Sequence, residues 1–211
     1  MSGKRSIIYI DGFNLYYGVL KGTRLKWLNV ERLFEMIRKD DEIQAVKYFT
    51  ALVEGRQQSL RQLTYLRALS ACSRVQIVQG RFKYKNVRCL VKECQFEGRR
   101  FFRAQEEKRT DVNIAIHLLN DACEDQADRF VLVSGDSDLV PAISLVKRKF
   151  PEKLVCVYSP AREDSVRGYA TEMRAAADRA RNLPINLLKH SQFPHAIDDG
   201  SDEPITKPAG W

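Results

Sequence analysis

Two short acidic motifs close apolar runs in this chain, and carboxylates so placed can hold metal ions, move protons or attack phosphate. Asp11 ends the run Ser6-Ile-Ile-Tyr-Ile10, in Tyr-Ile-Asp-Gly-Phe-Asn. Asp136 and Asp138 follow Arg129–Val133, in Val-Ser-Gly-Asp-Ser-Asp-Leu. Asp111 opens a helical pattern, in Glu-Lys-Arg-Thr-Asp-Val. If the first two runs are neighbouring strands, three or four carboxylates converge, and neither short motif holds a Lys or Arg to neutralise them. Such a concentration is costly unless protons or cations occupy it. Hard oxygen ligands select Mg²⁺ or Mn²⁺, here one or two ions. A hydrated divalent ion activates water and shields a phosphodiester under attack. Singly, each Asp has a plainer role, as a turn residue (Asp11-Gly12) or as a favourable charge at a helix start. Their conjunction in one chain is what points to a site.

Three residues could support it. Asn14 lies three positions after Asp11 and can turn its amide into the same pocket or cap a helix. Ser134 can bond a phosphate or close the turn before Asp136. Lys108 lies three positions before Asp111, placed to touch a phosphate, steady an Asp or remain solvated. A phosphoaspartyl site with Asp11 as nucleophile would want a second Asp two residues on, where Phe13 stands.

The elements that must position these groups alternate between strand and helix. Strand patterns cover Ser6–Ile10, Val46–Leu52, Arg74–Gln79, Arg129–Val133 and Lys153–Tyr158. Helical spacing covers Asn14–Leu20, Val30–Ile37, Gln57–Ala71, Thr110–Cys123, Ser137–Phe150 and Thr171–Arg181. In Gln57–Ala71 the apolar stripe runs Leu60, Leu63, Leu66, Leu69. In Thr110–Cys123 the spacing turns Val112, Ala115, Ile116 and Leu119 inward, with Thr110 as N-cap. Leu183-Pro184-Ile185 reads as a short edge strand. Residues 191–211 hold three prolines and a net charge of −3, an extended acidic tail either disordered or strapped across the domain at 5–190. Alternating β and α units imply a mostly parallel sheet with helices on both sides. Such sheets bind ligands beyond the carboxyl ends of their strands, at a switch in strand order.

The charge is unevenly spread. Of 211 residues, 35 are Lys or Arg and 27 Asp or Glu, a net of +8 that favours polyanionic partners. Residues 81–103 carry eight basic side chains and two acidic ones, leaving 27 basic and 25 acidic for the rest. Arg81, Lys83, Lys85, Arg88, Arg99, Arg100 and Arg103 are interleaved there with Phe82, Tyr84, Phe96, Phe101 and Phe102. Cations engage phosphates and exposed rings stack on unpaired bases, which makes single-stranded RNA the better partner. The competing reading is a charged edge hairpin. On it the alternation Phe82-Lys-Tyr84-Lys sends those two rings into the core. No apolar run approaches the ~18 residues of a membrane helix, and Ser6–Ile10 is too short for a signal peptide. Five scattered cysteines argue against a disulfide framework and for the reducing cytoplasm.

Together, Tyr9-Ile-Asp-Gly-Phe-Asn14, Lys108-Arg-Thr-Asp-Val112 and Ser134-Gly-Asp-Ser-Asp138 resemble the NYN domain family. More specifically they are similar to its bacterial LabA-like branch, related to PIN-domain nucleases. The resemblance implies an α/β fold: a single PIN-like (Rossmann-like) three-layer domain with a central, mostly parallel sheet and, here, a basic hairpin-like insertion. It implies metal-dependent cleavage of RNA, with Asp11, Asp111, Asp136 and Asp138 at the metal-binding acidic positions and Asn14 at the polar one. The Lys-Gly-Val-Asp common in the family stands here as Lys-Arg-Thr-Asp. Some relatives carry Cys pairs suggestive of zinc. Cys89 and Cys94 supply two of the four ligands that a closed site needs, which does not favour zinc.

The leading expectation is therefore a metal-dependent endoribonuclease. Its rivals are a non-catalytic RNA-binding regulatory module on a nuclease-like fold and a phosphohydrolase acting on small phosphoesters. An exposed strand edge or apolar helix face would support a homodimer.

Overall fold

The first apolar run forms strand β1 (Lys4–Asp11), buried from Ser6 onward because both its faces are covered. A short helix, α1 (Gly12–Leu15), follows directly and continues as a π-helical turn over Tyr16–Leu20. Helix α2 (Val30–Ile37) is capped by Asn29, whose Oδ1 accepts from the Arg32 N–H at 2.9 Å. Then come β2 (Asp41–Thr50), α3 (Arg56–Ser70), β3 (Val75–Gln79), and the antiparallel pair β4 (Arg81–Arg88) and β5 (Phe101–Lys108). They are followed by α4 (Thr110–Cys123), β6 (Arg129–Val133), a 3₁₀ turn at Ser137–Leu139, α5 (Val140–Lys149), β7 (Leu154–Ser159), α6 (Thr171–Ala176) and β8 (Arg179–Asn182). Helix α7 (Ile185–His190) and the short strands β9 (Ala196–Ile197) and β10 (Ile205–Thr206) complete the chain. The computed structural model describes residues 3–53, 55–98, 100–161 and 171–211.

Six strands make one parallel sheet in the order β3-β2-β1-β6-β7-β8. The chain builds outward from β1 in one direction, then returns to add β6 on the other side. The order therefore reverses between β1 and β6, where Ile10 pairs with Val133. Alternation along β1 divides the core. Ile8 and Ile10 face α2, α3, α7 and the C-terminal segment, while Ile7 and Tyr9 face α4, α5 and α6.

Helix α4 turns a different face inward than its spacing predicts. Val112 and Ile116 are about 60% exposed, whereas Ile114, Leu118 and Ala122 are buried. Apolar residues occupy most of this helix's circumference, and burying either set of aliphatics gains a similar ~1.5–3 kcal/mol per side chain. Asp121 distinguishes them. It lies on the Ile114–Leu118 face and meets the buried Lys47 ammonium at 2.6 Å and the Tyr9 hydroxyl, which donates at 2.5 Å. Thr110 is not the N-cap. Arg109 holds that position with φ of 80°.

On α3, Leu66 and Leu69 are buried, but Leu60 and Leu63 remain exposed. The last edge strand is Arg179–Asn182 rather than Leu183–Ile185, because the helix after Thr171 stops at Ala176. The C-terminal segment is strapped down: Phe193 and Ile205 are buried, Trp211 packs on Trp27 and Tyr65, and Asp199 pairs with Arg67 at 2.7 Å. The pair β4–β5 forms a sheet of its own. Its rings do not enter the core, since Tyr84, Phe101 and Phe102 are exposed and Phe82 is half-buried.

Candidate functional site

The switch in strand order brings the ends of β1 and β6 together, and a short hydrogen-bond chain locks them. Asp11 is buried, and both its carboxylate oxygens are engaged. Its Oδ1 accepts from the N–H groups of Phe13 (3.1 Å) and Asn14 (2.9 Å), capping α1. Its Oδ2 accepts from the Asn14 amide at 2.5 Å and the Ser134 hydroxyl at 3.1 Å. Asn14 also reaches across, its Oδ1 accepting from the Gly135 N–H at 3.2 Å. The Ser134 Oγ in turn accepts from the Asp136 N–H at 3.1 Å, and Asp136 accepts from the Asp138 N–H at 3.0 Å, capping the 3₁₀ turn. Asn14 and Ser134 thus fasten Asp11 to the Asp136 loop, while Asp11 and Asp136 also cap the short helical turns that follow them.

Asp111 arrives from the other side, in the first turn of α4. Arg109 bends the chain into that turn in a left-handed conformation favoured by glycine. Gly80 permits the same close approach, since a side-chain carbon there would lie 2.7 Å from the Thr110 hydroxyl and 3.0 Å from the Lys108 carbonyl.

One oxygen from each of Asp111, Asp136 and Asp138 lies within 4.8 Å of the others. Asp11, expected as a fourth ligand, is not part of this trio, although its charge acts on Asp111. Burial, followed by repulsion from Asp136, Asp11 and Asp138, pushes the Asp111 carboxyl up to about 6. Burial also raises Asp11, and its hydrogen bonds to Asn14 and Ser134 counter that rise. The ion pairs among the described residues leave out all four of these carboxylates. Clustered hard oxygens that raise one another's proton affinity are a donor set suited to a divalent cation.

Glu107 is a fifth carboxyl that the sequence reading missed. Burial first, then Asp11 and Asp111, pushes it up to about 7, and the Thr110 hydroxyl donates to it. Strand alternation was the signal: it sends Glu107 to one side of β5 and Lys108 to the other. Lys108 accordingly pairs with Glu106 at 2.9 Å and not with an Asp of the cluster.

The basic residues divide along the same alternation. Arg81, Lys83 and Lys85 share the Lys108 face, where Lys85 lies 3.4 Å from Glu106. Arg88 and Arg103 share the Glu107 face with Phe82 and Tyr84. There the Arg103 guanidinium covers the Tyr84 ring at 4.0 Å, and Phe82 meets Phe13 edge-on at 5.4 Å. Arg100 donates to the Cys94 carbonyl at 3.2 Å. Arg99 lies outside the described residues.

Comparison with known proteins bears on the family and the fold. The family model described as the NYN domain matches residues 5–184. A curated relative, 6-hydroxy-3-succinoylpyridine 3-monooxygenase HspA of Pseudomonas putida, is 26% identical across 98% of this chain and 75% of its own. A crystal structure of VPA0982 from Vibrio parahaemolyticus, a protein of unknown function, superposes with a TM-score of 0.52. It is 16% identical and covers 86% of this chain and 94% of the other, a likeness of fold.

Proposed function

This chain belongs to the NYN domain family, and we propose that it is a metal-dependent endoribonuclease of the LabA-like branch, acting in the cytoplasm. The observation that carries the reading is the Asp111–Asp136–Asp138 trio at the switch in strand order, within 4.8 Å and without a pairing cation among the described residues. Recognition of RNA alone gives no reason to gather these carboxylates. The trio would hold one or two Mg²⁺ or Mn²⁺ ions, with Asp11 completing the acidic field. When bound, such an ion supplies activation of water and shielding of the phosphodiester. Asn14 and Ser134 keep Asp11 and the Asp136 loop in register, so that the carboxylates need not reorganise when substrate arrives. Glu107, able to hold or release a proton near neutrality, stands beside them. Arg88 and Arg103 would grip flanking phosphates from the near face of the hairpin, with Arg81, Lys83 and Lys85 extending the field outward. The substrate is single-stranded RNA, cut to leave a 5′-phosphate and a 3′-hydroxyl.

The test is cleavage of end-labelled single-stranded RNA with Mn²⁺. Asp136→Asn is expected to lose at least about 100-fold in rate, since such charge stabilisation contributes several kcal/mol and each 1.36 kcal/mol is tenfold. Unchanged cleavage would sink the assignment, and RNA binding without turnover in the wild type would favour a regulatory module. A second reading draws on the relative named as a monooxygenase, which matches nearly the whole chain. It is chemistry on a small aromatic compound. Oxygen uptake with pyridine substrates and none of the RNA cleavage would favour it.

A further inference from the structure

Beside the acidic cluster lies a cavity of ≈ 420 Å³ that the carboxylates do not use. Gly12 and Phe13, which follow Asp11 directly, form the shared wall. A side-chain carbon at position 12 would sit 2.8 Å from the Phe49 carbonyl oxygen and 2.9 Å from the Tyr48 hydroxyl, so glycine lets the chain pass. The remaining walls are largely aromatic. The Phe13 and Tyr17 rings are stacked, with centroids 6.3 Å apart and planes inclined by 21°. Trp211, carried by the strapped C-terminal segment, closes another side against Tyr65 at 5.8 Å. Lys26 and Arg61 line the same space, and the Lys21 ammonium lies 4.7 Å from the Tyr17 centroid.

The volume falls in the ~300–1,000 Å³ range of small-molecule sites. Flat aromatic walls beside cations fit a flat ring that carries an anion, which is the chemistry of a nucleotide. Phe13 extends the surface outward, because Phe82 rests edge-on against it and Tyr84 follows on the same face of the hairpin. The rings thus run from the hairpin, past Asp11, into the cavity.

Resting on the reading of the acidic cluster as an RNA-cleaving site, we propose that this cavity receives an unpaired nucleobase of the RNA adjacent to the bond cut. Stacking against Phe13 and Tyr17 holds the base, and Lys26 and Arg61 attract its phosphates. A base locked in a duplex cannot enter, so the cavity itself selects single strands.

The test uses the full chain and nucleoside 5′-monophosphates, followed by tryptophan fluorescence, together with cleavage of single-stranded RNA carrying one abasic position. The expected result is a nucleotide-dependent fluorescence change that disappears in Trp211→Phe. Tyr17→Ala and Arg61→Ala each weaken nucleotide binding about tenfold, as loss of one stacking or charge contact does, and Tyr17→Phe restores it. Circular dichroism and thermal midpoints establish that each variant is folded. An abasic position next to the cleavage site slows the wild type but makes no difference to Tyr17→Ala. RNA cut with no response to nucleotides, to Tyr17→Ala or to the abasic position overturns the cavity proposal and leaves the acidic site standing. Nucleotide binding at the cavity without RNA cleavage supports the base site and overturns the nuclease reading. Preference for a pyridine carboxylate over every nucleotide overturns the proposal.

Discussion

The two ends of the central sheet treat carboxylates in opposite ways. At the amino end, Asp41 is held by Arg38 at 2.8 Å, by the Arg129 guanidinium and by the Ser6 hydroxyl at 2.6 Å. Asp128 pairs with Arg5 at 2.8 Å, and Lys153 meets Asp125. Burial alone would raise Asp41, but its guanidinium partners outweigh that and hold it below the usual carboxylate range. At the carboxyl end Asp111 is pushed up to about 6 and Glu107 to about 7, and Asp11 is raised as well. What differs is the company of each carboxylate: cations complete it at one end and further carboxylates crowd it at the other. Paired charges serve the fold, whereas a cluster without counter-charges among the described residues asks for a ligand.

The sharpest way to break this contrast is to remove a charge from the paired end. Asp41→Asn leaves the Arg38 and Arg129 guanidinium groups without their carboxylate, and a stability loss of about 3–5 kcal/mol is expected in urea unfolding. RNA cleavage by the folded fraction should be unaffected. A loss below about 1 kcal/mol would show the pairs to be incidental.

Asn14→Ala probes the lock at the other end. It removes the amide bonds to Asp11 and Gly135, with an expected stability loss of about 1–3 kcal/mol and a cleavage loss of about 10–100-fold. Full activity in a destabilised variant would reduce Asn14 to a cap. The smallest effect belongs to Arg109→Gly, which relieves a left-handed residue without touching a carboxylate. Stability should rise by about 1 kcal/mol with cleavage retained.

Much of the site is legible in the chain because apolar runs ending in Asp mark strand ends, and the sheet topology makes β1 and β6 neighbours. Asp11, Asn14, Ser134, Asp136 and Asp138 meet for that reason, and the first turn of α4 adds Asp111. Lys108 turns away from the cluster and Glu107 toward it because alternation along β5 continues up to the start of α4. The inward face of α4 was hidden by its near-continuous apolar circumference, and only the distant partners of Asp121, Lys47 and Tyr9, settle it. The basic hairpin-like insertion expected from the sequence is the antiparallel pair β4–β5, but that its rings stay outside the core was hidden, since alternating rings and cations fit a core edge and a free hairpin alike. Those features depend on long-range pairing, which local patterns do not encode.

The central claim, that the carboxyl-end cluster is built for a divalent cation, is tested most directly by calorimetric titration of Mn²⁺ at several pH values. Asp111 and Glu107 titrate above their unfolded values, so the metal-free folded protein keeps protons that the unfolded chain has lost, and its stability falls as pH rises through about 6 to 7. A cation displaces those protons. The expected result is Mn²⁺ binding that strengthens with pH and releases protons at pH 6 but few at pH 8, with binding abolished in Asp136→Asn. Absence of binding in the wild type, or binding that Asp136→Asn leaves unchanged, would contradict it.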